Sequence, residues 1–146
     1  SFSCVVYYPR EFHALRAQYC GGDYDLIQSL ARCAQWQTTG GKSGSTFGRT
    51  LDGRFLLKYV GSNEQQMFLR NAQAYFAYVA RTTFRKVPSV LVKILGVFTL
   101  SWKKSSRERM APRHVLLMPN LFYNAQINVS HCLIGPYSCM LTSSLY

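Results

Sequence analysis

The stretch that decides the fold runs from Gly40 to Lys58 and reads GGKSGSTFGRTLDGRFLLK. Its glycine-rich beginning is followed by a short strand pattern, then by Asp52-Gly53, and then by a second strand pattern that ends on Lys58. Asp-Gly between two apolar runs is a strong hairpin signal, because both central residues of a type I′ turn need a positive φ. We therefore predict a β-hairpin with a type I′ turn at Asp52 and Gly53.

The glycines before the hairpin suit a loop that binds phosphate. Gly40, Gly41 and Gly44 let backbone amides come close to a ligand, and consecutive amides can surround phosphate oxygens. A lysine on the second strand can reach the same phosphates, as in a kinase. The P-loop pattern fails, because its first glycine would fall at Trp36, and glycines at 41, 44 and 48 do not form Gly-x-Gly-x-x-Gly. These residues alone leave a plain flexible hairpin as the alternative.

The residues before this stretch predict one strand and two helices. Residues 1–8 are β-prone. Pro9 suits a first helical turn, and Gly21-Gly22 ends that helix. Asp23 is available as the N-cap of the second helix, which Trp36 is expected to close against the core.

The longest helix is predicted to begin at Ser62, where Ser62-x-x-Gln65 forms a capping box. Its apolar stripe has helical spacing and consists of Phe68, Ala72, Tyr75, Phe76 and Val79. Glu64 lies in the first turn and has two interpretations. It either complements the helix dipole or pairs with Lys58 and directs the lysine ammonium toward phosphates.

Two apolar runs follow this helix. Val90–Leu95 and Val97–Leu100 predict one or two strands around Gly96, and Val115–Met118 predict a buried strand.

Motifs spread over residues 2 to 124 carry a resemblance to a known family. In chain order they are Tyr7-Tyr8, Phe12, Leu15-Arg16, Ser29-Leu30-x-Arg32, Trp36, the Gly40–Ser45 block, Arg54-Phe55-Leu56-Leu57-Lys58, Glu64-x-x-x-Phe68-Leu69, Tyr75-Phe76-x-Tyr78, Lys93-Ile94-Leu95-Gly96-Val97 and Leu117-Met118-x-Asn120-Leu121-Phe122-Tyr123. Together they resemble the phosphatidylinositol-phosphate kinases, and among these the PIKfyve-like phosphatidylinositol 3-phosphate 5-kinases.

The resemblance implies an α+β fold, an antiparallel sheet with helices packed mainly on one face, as in the amino-terminal lobe of a kinase. It also implies that ATP is the cofactor. The residues that would bind it are Gly40, Gly41, Lys42, Ser43, Gly44, Ser45, Lys58, Glu64, Met118, Asn120 and Leu121. The family reaction moves the γ-phosphoryl group of ATP to the 5-hydroxyl of phosphatidylinositol 3-phosphate, with Mg²⁺ expected only in the full-length enzyme.

The chain departs from the family pattern at two places. Pro119 stands where the family usually has glutamate, and proline removes an amide that could donate to adenine. After Asn124 the likeness stops, before the segments that would supply the catalytic base and the metal-binding aspartates. We therefore expect a partial kinase domain over residues 1–124, a divergent uncharged tail over 125–146, and no turnover by the chain alone.

The net charge of +11 predicts an acidic partner, and residues 61–146 hold 10 basic residues against 2 acidic ones. Phosphoinositides or other anionic membrane lipids and nucleotides are the expected ligands. A non-catalytic module that binds acidic membranes or a partner protein is the alternative, and self-association is a further option. Nucleic acid is disfavoured, because no recognition motif is present. The resemblance implies a cytoplasmic location, peripheral at the cytosolic face of endosomal membranes.

Five cysteines occur without a Cys-x-x-Cys pair, which predicts reduced and mostly buried thiols.

Overall fold

The computed structural model describes residues 1–36, 46–103 and 110–124. Within these ranges the elements follow in the order β1 (Phe2–Tyr7), α1 (Pro9–Tyr19), α2 (Asp23–Leu30), β2 (Cys33–Trp36), β3 (Phe47–Thr50), β4 (Phe55–Val60), α3 (Ser62–Phe84), β5 (Gly96–Trp102) and β6 (Arg113–Pro119). The glycine-rich block Gly40–Ser45 and the tail 125–146 lie outside the described residues.

The strands of the described ranges form one antiparallel sheet in the order β1-β5-β6-β4-β3-β2. The α+β fold with an antiparallel sheet is thereby confirmed. The hairpin prediction is confirmed as well, because β3 and β4 pair directly, with Phe47 opposite Lys58.

Two apolar clusters cover the two faces of the sheet. On one face, Phe12 of α1 and Phe68 and Phe76 of α3 pack with Val97 and Leu116. On the other face, two residues of α2 pack against residues of β4, β5 and β6 and against one residue after α1 and one before β5. The members of this cluster are Cys20, Leu26, Leu30, Phe55, Leu57, Leu95, Phe98 and Leu117. Two of the three helices in the described residues therefore share one face, which is the face that carries Lys58.

The turn between β3 and β4 differs from the predicted type I′ turn. Gly53 has a φ of 76°, whereas Asp52 is absent from the residues with positive φ. The amide of Gly53 donates to the carbonyl of Thr50 at 2.9 Å. The Asp52 carboxylate accepts from the hydroxyls of Ser29 and Thr50 and from the amide of Arg54. The prediction was wrong because β3 ends at Thr50 and β4 begins at Phe55, so four residues connect the strands and not the two of a type I′ hairpin turn.

Both predicted helix caps were also wrong. Asp23 is the first residue of α2, and the cap is Gly22, which makes no side-chain bond. Likewise, Gly61 precedes Ser62 as the cap of α3, again without a side-chain bond. In each case the side chain assigned to capping has a partner elsewhere in the fold: Asp23 binds Arg16, and Gln65 binds Thr99.

The apolar stripe of α3 is confirmed, since Ala72 and Val79 are fully buried and the aromatic residues of the stripe pack in the cluster around Phe12.

Three smaller expectations fail. Trp36 does not close α2, because it belongs to β2 and packs edge-on against Phe47. Of the one or two strands predicted around Gly96, one is present as β5, whereas residues 90–95 do not form a strand, and the Tyr75 hydroxyl binds both the amide and the carbonyl of Ile94. Among the cysteines that the structure describes, Cys20 is buried, but Cys4 and Cys33 are exposed.

Candidate functional site

The site is built where β4 turns into α3. Lys58 lies in β4, opposite Phe47 of β3 and Leu116 of β6. The chain leaves β4 through Gly61 and enters α3, which places Glu64 in the first helical turn. The Lys58 Nζ donates to the Glu64 Oε1 at 2.5 Å. Of the two interpretations left open by the sequence, the structure shows the pair with Lys58, although Glu64 also lies where a carboxylate suits the helix dipole.

Lys58 lies in one cross-strand row with Trp36 and Phe47, the strand residues on either side of the glycine-rich segment. Residues 37–45 connect β2 to β3 along the chain, and Trp36 is opposite Phe47, which in turn is opposite Lys58. The amide of Tyr59 donates to the carbonyl of Thr46 at 3.0 Å, at the point where the segment rejoins the sheet. The lysine therefore lies beside the chain positions that flank Gly40, Gly41, Lys42, Ser43, Gly44 and Ser45, which are themselves outside the described residues.

The opposite end of β4 adjoins the predicted hinge. Met118 is opposite Leu56, so these two side chains lie on the same face of the sheet as Lys58. Pro119 follows on the other face, opposite Phe55. Leu56 is almost fully buried and Met118 is partly buried, so this end of the row is apolar and Met118 is its more accessible side chain next to the hinge.

Asn120 fastens the hinge to the β3–β4 turn. Its amide donates to the Arg54 carbonyl at 2.8 Å, and its side-chain Nδ2 donates to the Gly53 carbonyl at 2.6 Å. The Asn120 carbonyl accepts from the amide of Tyr123, and its Oδ1 accepts from the amide of Phe122. In the described part of the hinge, the amide of Leu121 is therefore the one left for a ligand, and Leu121 is 61% exposed.

Two residues of this face, Leu56 and Arg49, were not among the site residues predicted from the sequence. Leu56 precedes Lys58 by two positions, so strand alternation could have assigned it to the same face. Arg49 lies over the Trp36 ring at 5.6 Å and adds a second cation to this face. Its assignment required the register of β3 against β2, which places Arg49 two positions from the Trp36–Phe47 pair and so on the same face of the sheet.

The arrangement offers the parts that a nucleotide needs. A cation held by a carboxylate suits phosphate oxygens, and a partly exposed apolar side chain such as that of Met118 suits a purine base. The hinge amide of Leu121, which has no partner among the described residues, can donate to the base. Within residues 1–36, 46–103 and 110–124, no three His, Cys, Asp or Glu side chains come together to hold a metal ion. No helix in the described part of the chain is long and apolar enough to cross a membrane.

Comparison with known proteins gives a consistent result. The model of the Phosphatidylinositol-4-phosphate 5-Kinase family matches residues 30–133. A human 1-phosphatidylinositol 3-phosphate 5-kinase is 39% identical over 127 residues, which is 86% of this chain and 6% of that protein. A 1-phosphatidylinositol-3-phosphate 5-kinase of Arabidopsis thaliana is 38% identical over 122 residues, which is 84% of this chain and 7% of that protein. The chain thus spans only a small part of these relatives.

Proposed function

The chain belongs to the phosphatidylinositol-4-phosphate 5-kinase family, and we propose that it forms the ATP-binding lobe of a kinase that phosphorylates phosphatidylinositol 3-phosphate on its 5-hydroxyl. The choice of lipid is supported by the names of the relatives that match most of this chain. The reaction belongs to the whole kinase, and the lobe alone is not expected to turn over.

The observation that carries the proposal is the ion pair of Lys58 and Glu64 beside the ends of the glycine-rich segment. In phosphoryl transfer the protein contributes mainly positioning and charge neutralisation. A lysine with a carboxylate on one side keeps its ammonium in one place, so its remaining N–H bonds can meet phosphate oxygens.

We assign the other residues around this pair. The amides of Gly40, Gly41, Lys42, Ser43, Gly44 and Ser45 would surround the phosphates. Leu56 and Met118 would contact the base, and the hinge would supply hydrogen bonds from Leu121. Asn120 would keep the hinge in place through Arg54 and Gly53.

The test is ATP affinity, measured by equilibrium dialysis for the wild-type chain and for Lys58→Met. Lys86→Met is the matched control, because Lys86 is an exposed lysine beyond the end of α3. We expect Lys58→Met to lose at least about tenfold in affinity, as charge-assisted hydrogen bonds to phosphate contribute about 1.5 to 3 kcal/mol. Lys86→Met should bind like the wild type.

A second arm addresses the reaction. The lobe is joined to the catalytic half of a related kinase, and turnover is measured on vesicles that contain phosphatidylinositol 3-phosphate. Lys58→Met should abolish this turnover. If the Met variant retains full affinity and turnover, Lys58 is only a strand residue and the nucleotide site is rejected.

The charge distribution favours a second role, binding to anionic membranes, and the family resemblance is the basis for proposing a peripheral location at the cytosolic face of endosomal membranes. Residues 65–103 include no Asp or Glu but six basic residues, namely Arg70, Arg81, Arg85, Lys86, Lys93 and Lys103. Such an excess of positive charge attracts acidic headgroups. Co-sedimentation with phosphatidylserine vesicles should fall strongly with added salt because of screening. Equal binding to neutral vesicles in high salt would refute this role.

The same two assays separate the proposed lobe from a non-catalytic module. A module that only binds membranes would sediment with anionic vesicles and bind no ATP. Lys58→Met would change neither result.

A further inference from the structure

Gln65 is a buried polar side chain that neither capping nor the ion pair explains. It is 1% exposed, although its neighbours Glu64 and Gln66 are exposed. Its Nε2 donates to the Thr99 Oγ1 at 2.7 Å. Thr99 belongs to β5, and β6 lies between β5 and β4, the strand that precedes α3. The bond therefore links the start of α3 to a strand that is not adjacent to β4.

Thr99 connects Gln65 to two more side chains. The Thr99 Oγ1 lies 3.2 Å from the Tyr7 hydroxyl and 3.0 Å from the His114 Nδ1. A hydroxyl group has one proton to donate and two lone pairs to accept with, so these three partners fill its capacity. The described residues contain no buried side-chain nitrogen or oxygen without a partner, and the network is therefore complete.

The first turn of α3 is joined to the sheet by two side-chain bonds in the described part of the chain. One is Glu64 to Lys58, in which the carboxylate side chain is 47% exposed. The other is Gln65 to Thr99, and it is buried. A buried hydrogen bond is expensive to break, because its groups would remain unpaired in a medium of low dielectric constant. The buried bond is thus the stronger restraint on a helix start whose cap makes no side-chain bond.

We propose that Gln65 is a positioning residue for the lysine–glutamate pair. By binding Thr99 it holds the first turn of α3 on the sheet, and the adjacent Glu64 carboxylate is thereby kept against the Lys58 ammonium. The consequence for ATP rests on the proposed function of the site, whereas the geometry of the pair does not.

The test compares Gln65→Leu with Gln66→Leu, which is the same substitution one residue further along at an exposed position. The first readout is the NMR correlation between Nζ and its protons in the Lys58 ammonium, assigned by its loss in Lys58→Met. In the Gln66→Leu variant this signal should match the wild type. In the Gln65→Leu variant it should move to the position found in Glu64→Ala, where the pair is absent. An unchanged signal in Gln65→Leu would overturn the proposal.

A second pair of variants guards against misfolding of Gln65→Leu. Thr99→Val removes the acceptor with little change of shape, and Thr99→Ser retains the hydroxyl. Thr99→Val should shift the Lys58 signal as Gln65→Leu does, whereas Thr99→Ser should leave the signal at its wild-type position. A signal shifted equally by both substitutions would indicate packing rather than the hydrogen bond, and would also reject the proposal.

The second readout is ATP affinity. Gln65→Leu should weaken it to the same extent as Glu64→Ala, by at most about tenfold, the order of one charge-assisted hydrogen bond from Lys58 to phosphate. In a Glu64→Ala background the same substitution should have no further effect, since Gln65 acts through Glu64. If the wild type binds no ATP, the proposed function fails, but the NMR comparison still decides the positioning role.

Discussion

Two ion pairs in the described part of the chain, one made by an arginine and one by a lysine, differ in what surrounds them. Arg16 of α1 binds Asp23 at the start of α2, and Lys58 of β4 binds Glu64 at the start of α3. The Arg16 side chain is 10% exposed, whereas that of Lys58 is 24% exposed. Arg16 also donates from its terminal Nη1 to the Leu95 carbonyl at 3.0 Å, and Asp23 also binds the His13 Nδ1 at 2.7 Å.

The two pairs therefore have different roles. Arg16 joins α1, α2 and the residue that precedes β5, so its bonds hold the helices to the sheet. Lys58 and Glu64 have no other side-chain hydrogen bond within the described residues, and the pair is partly exposed next to Phe47, where the chain rejoins the sheet after the glycine-rich segment. A largely buried charged pair whose arginine binds two different elements stabilises the fold, whereas a more exposed lysine with one side-chain partner among the described residues has N–H bonds left for a ligand.

The largest expected effect is that of Arg16→Met on stability. The substitution leaves the Leu95 carbonyl and the Asp23 carboxylate without their partner, and the buried carbonyl has no water to replace it. We expect the free energy of unfolding to fall by about 3 kcal/mol, measured by urea denaturation. Arg10→Met, at an exposed position of the same helix, should change it by less than about 0.5 kcal/mol. If the two variants are equally stable, Arg16 is not a structural residue and the contrast between the pairs fails.

The second effect is a dependence of stability on acid. Hydrogen bonds from Arg16 and then from His13 lower the pKa of Asp23 below its usual value of 3.8. Because the folded pKa is the lower one, the stabilisation is complete above the unfolded pKa and is lost as the pH falls through the folded pKa. Asp23→Asn should therefore destabilise the chain at pH 7, and the difference from wild type should shrink below about pH 4.

The control for this titration is Asp25→Asn, an exposed carboxylate in the same first turn of α2. Its difference from wild type should vary less between pH 7 and pH 2 than that of Asp23→Asn. A constant difference between wild type and Asp23→Asn over this range would contradict the assignment.

A smaller effect is expected when the second pair is broken. Lys58→Met and Glu64→Gln should each change the free energy of unfolding by less than about 1 kcal/mol, because partly exposed ion pairs contribute little. Thermal unfolding checks this, and the midpoints should lie within a few degrees of the wild type. A loss of stability as large as that of Arg16→Met would show that Lys58 is structural. A lower ATP affinity in Lys58→Met would then reflect unfolding and not the loss of a phosphate contact.

The smallest effect is expected for an exchange of the two charges, Lys58→Glu combined with Glu64→Lys. The attraction is retained, so stability should stay within about 0.5 kcal/mol of the wild type. The ammonium would then start from the helix rather than from the strand, and ATP affinity should remain as low as in Lys58→Met. Recovery of ATP affinity in the exchanged variant would mean that charge near the loop suffices and that the strand position is unimportant.

Local patterns in the sequence predicted much of the fold. The hairpin at Asp52-Gly53 with Lys58 on its second strand, the helix after Ser62 and its apolar stripe are all present. These features depend on periodicity and turn chemistry, which act over a few residues. The pairing of Lys58 with Glu64 was also accessible, since six residues separate them and one of the two interpretations of Glu64 named this partner.

The tertiary structure alone decided how the polar side chains are used. Asp23 and Gln65 have the right residue types and positions for helix caps, yet Asp23 binds Arg16 and Gln65 binds Thr99. Thr99 is 34 residues from Gln65 along the chain, and no local pattern contains that partner. A polar side chain that becomes buried must find a hydrogen bond wherever the packed elements offer one, so its partner is set by the order of the strands in the sheet and not by its neighbours in sequence.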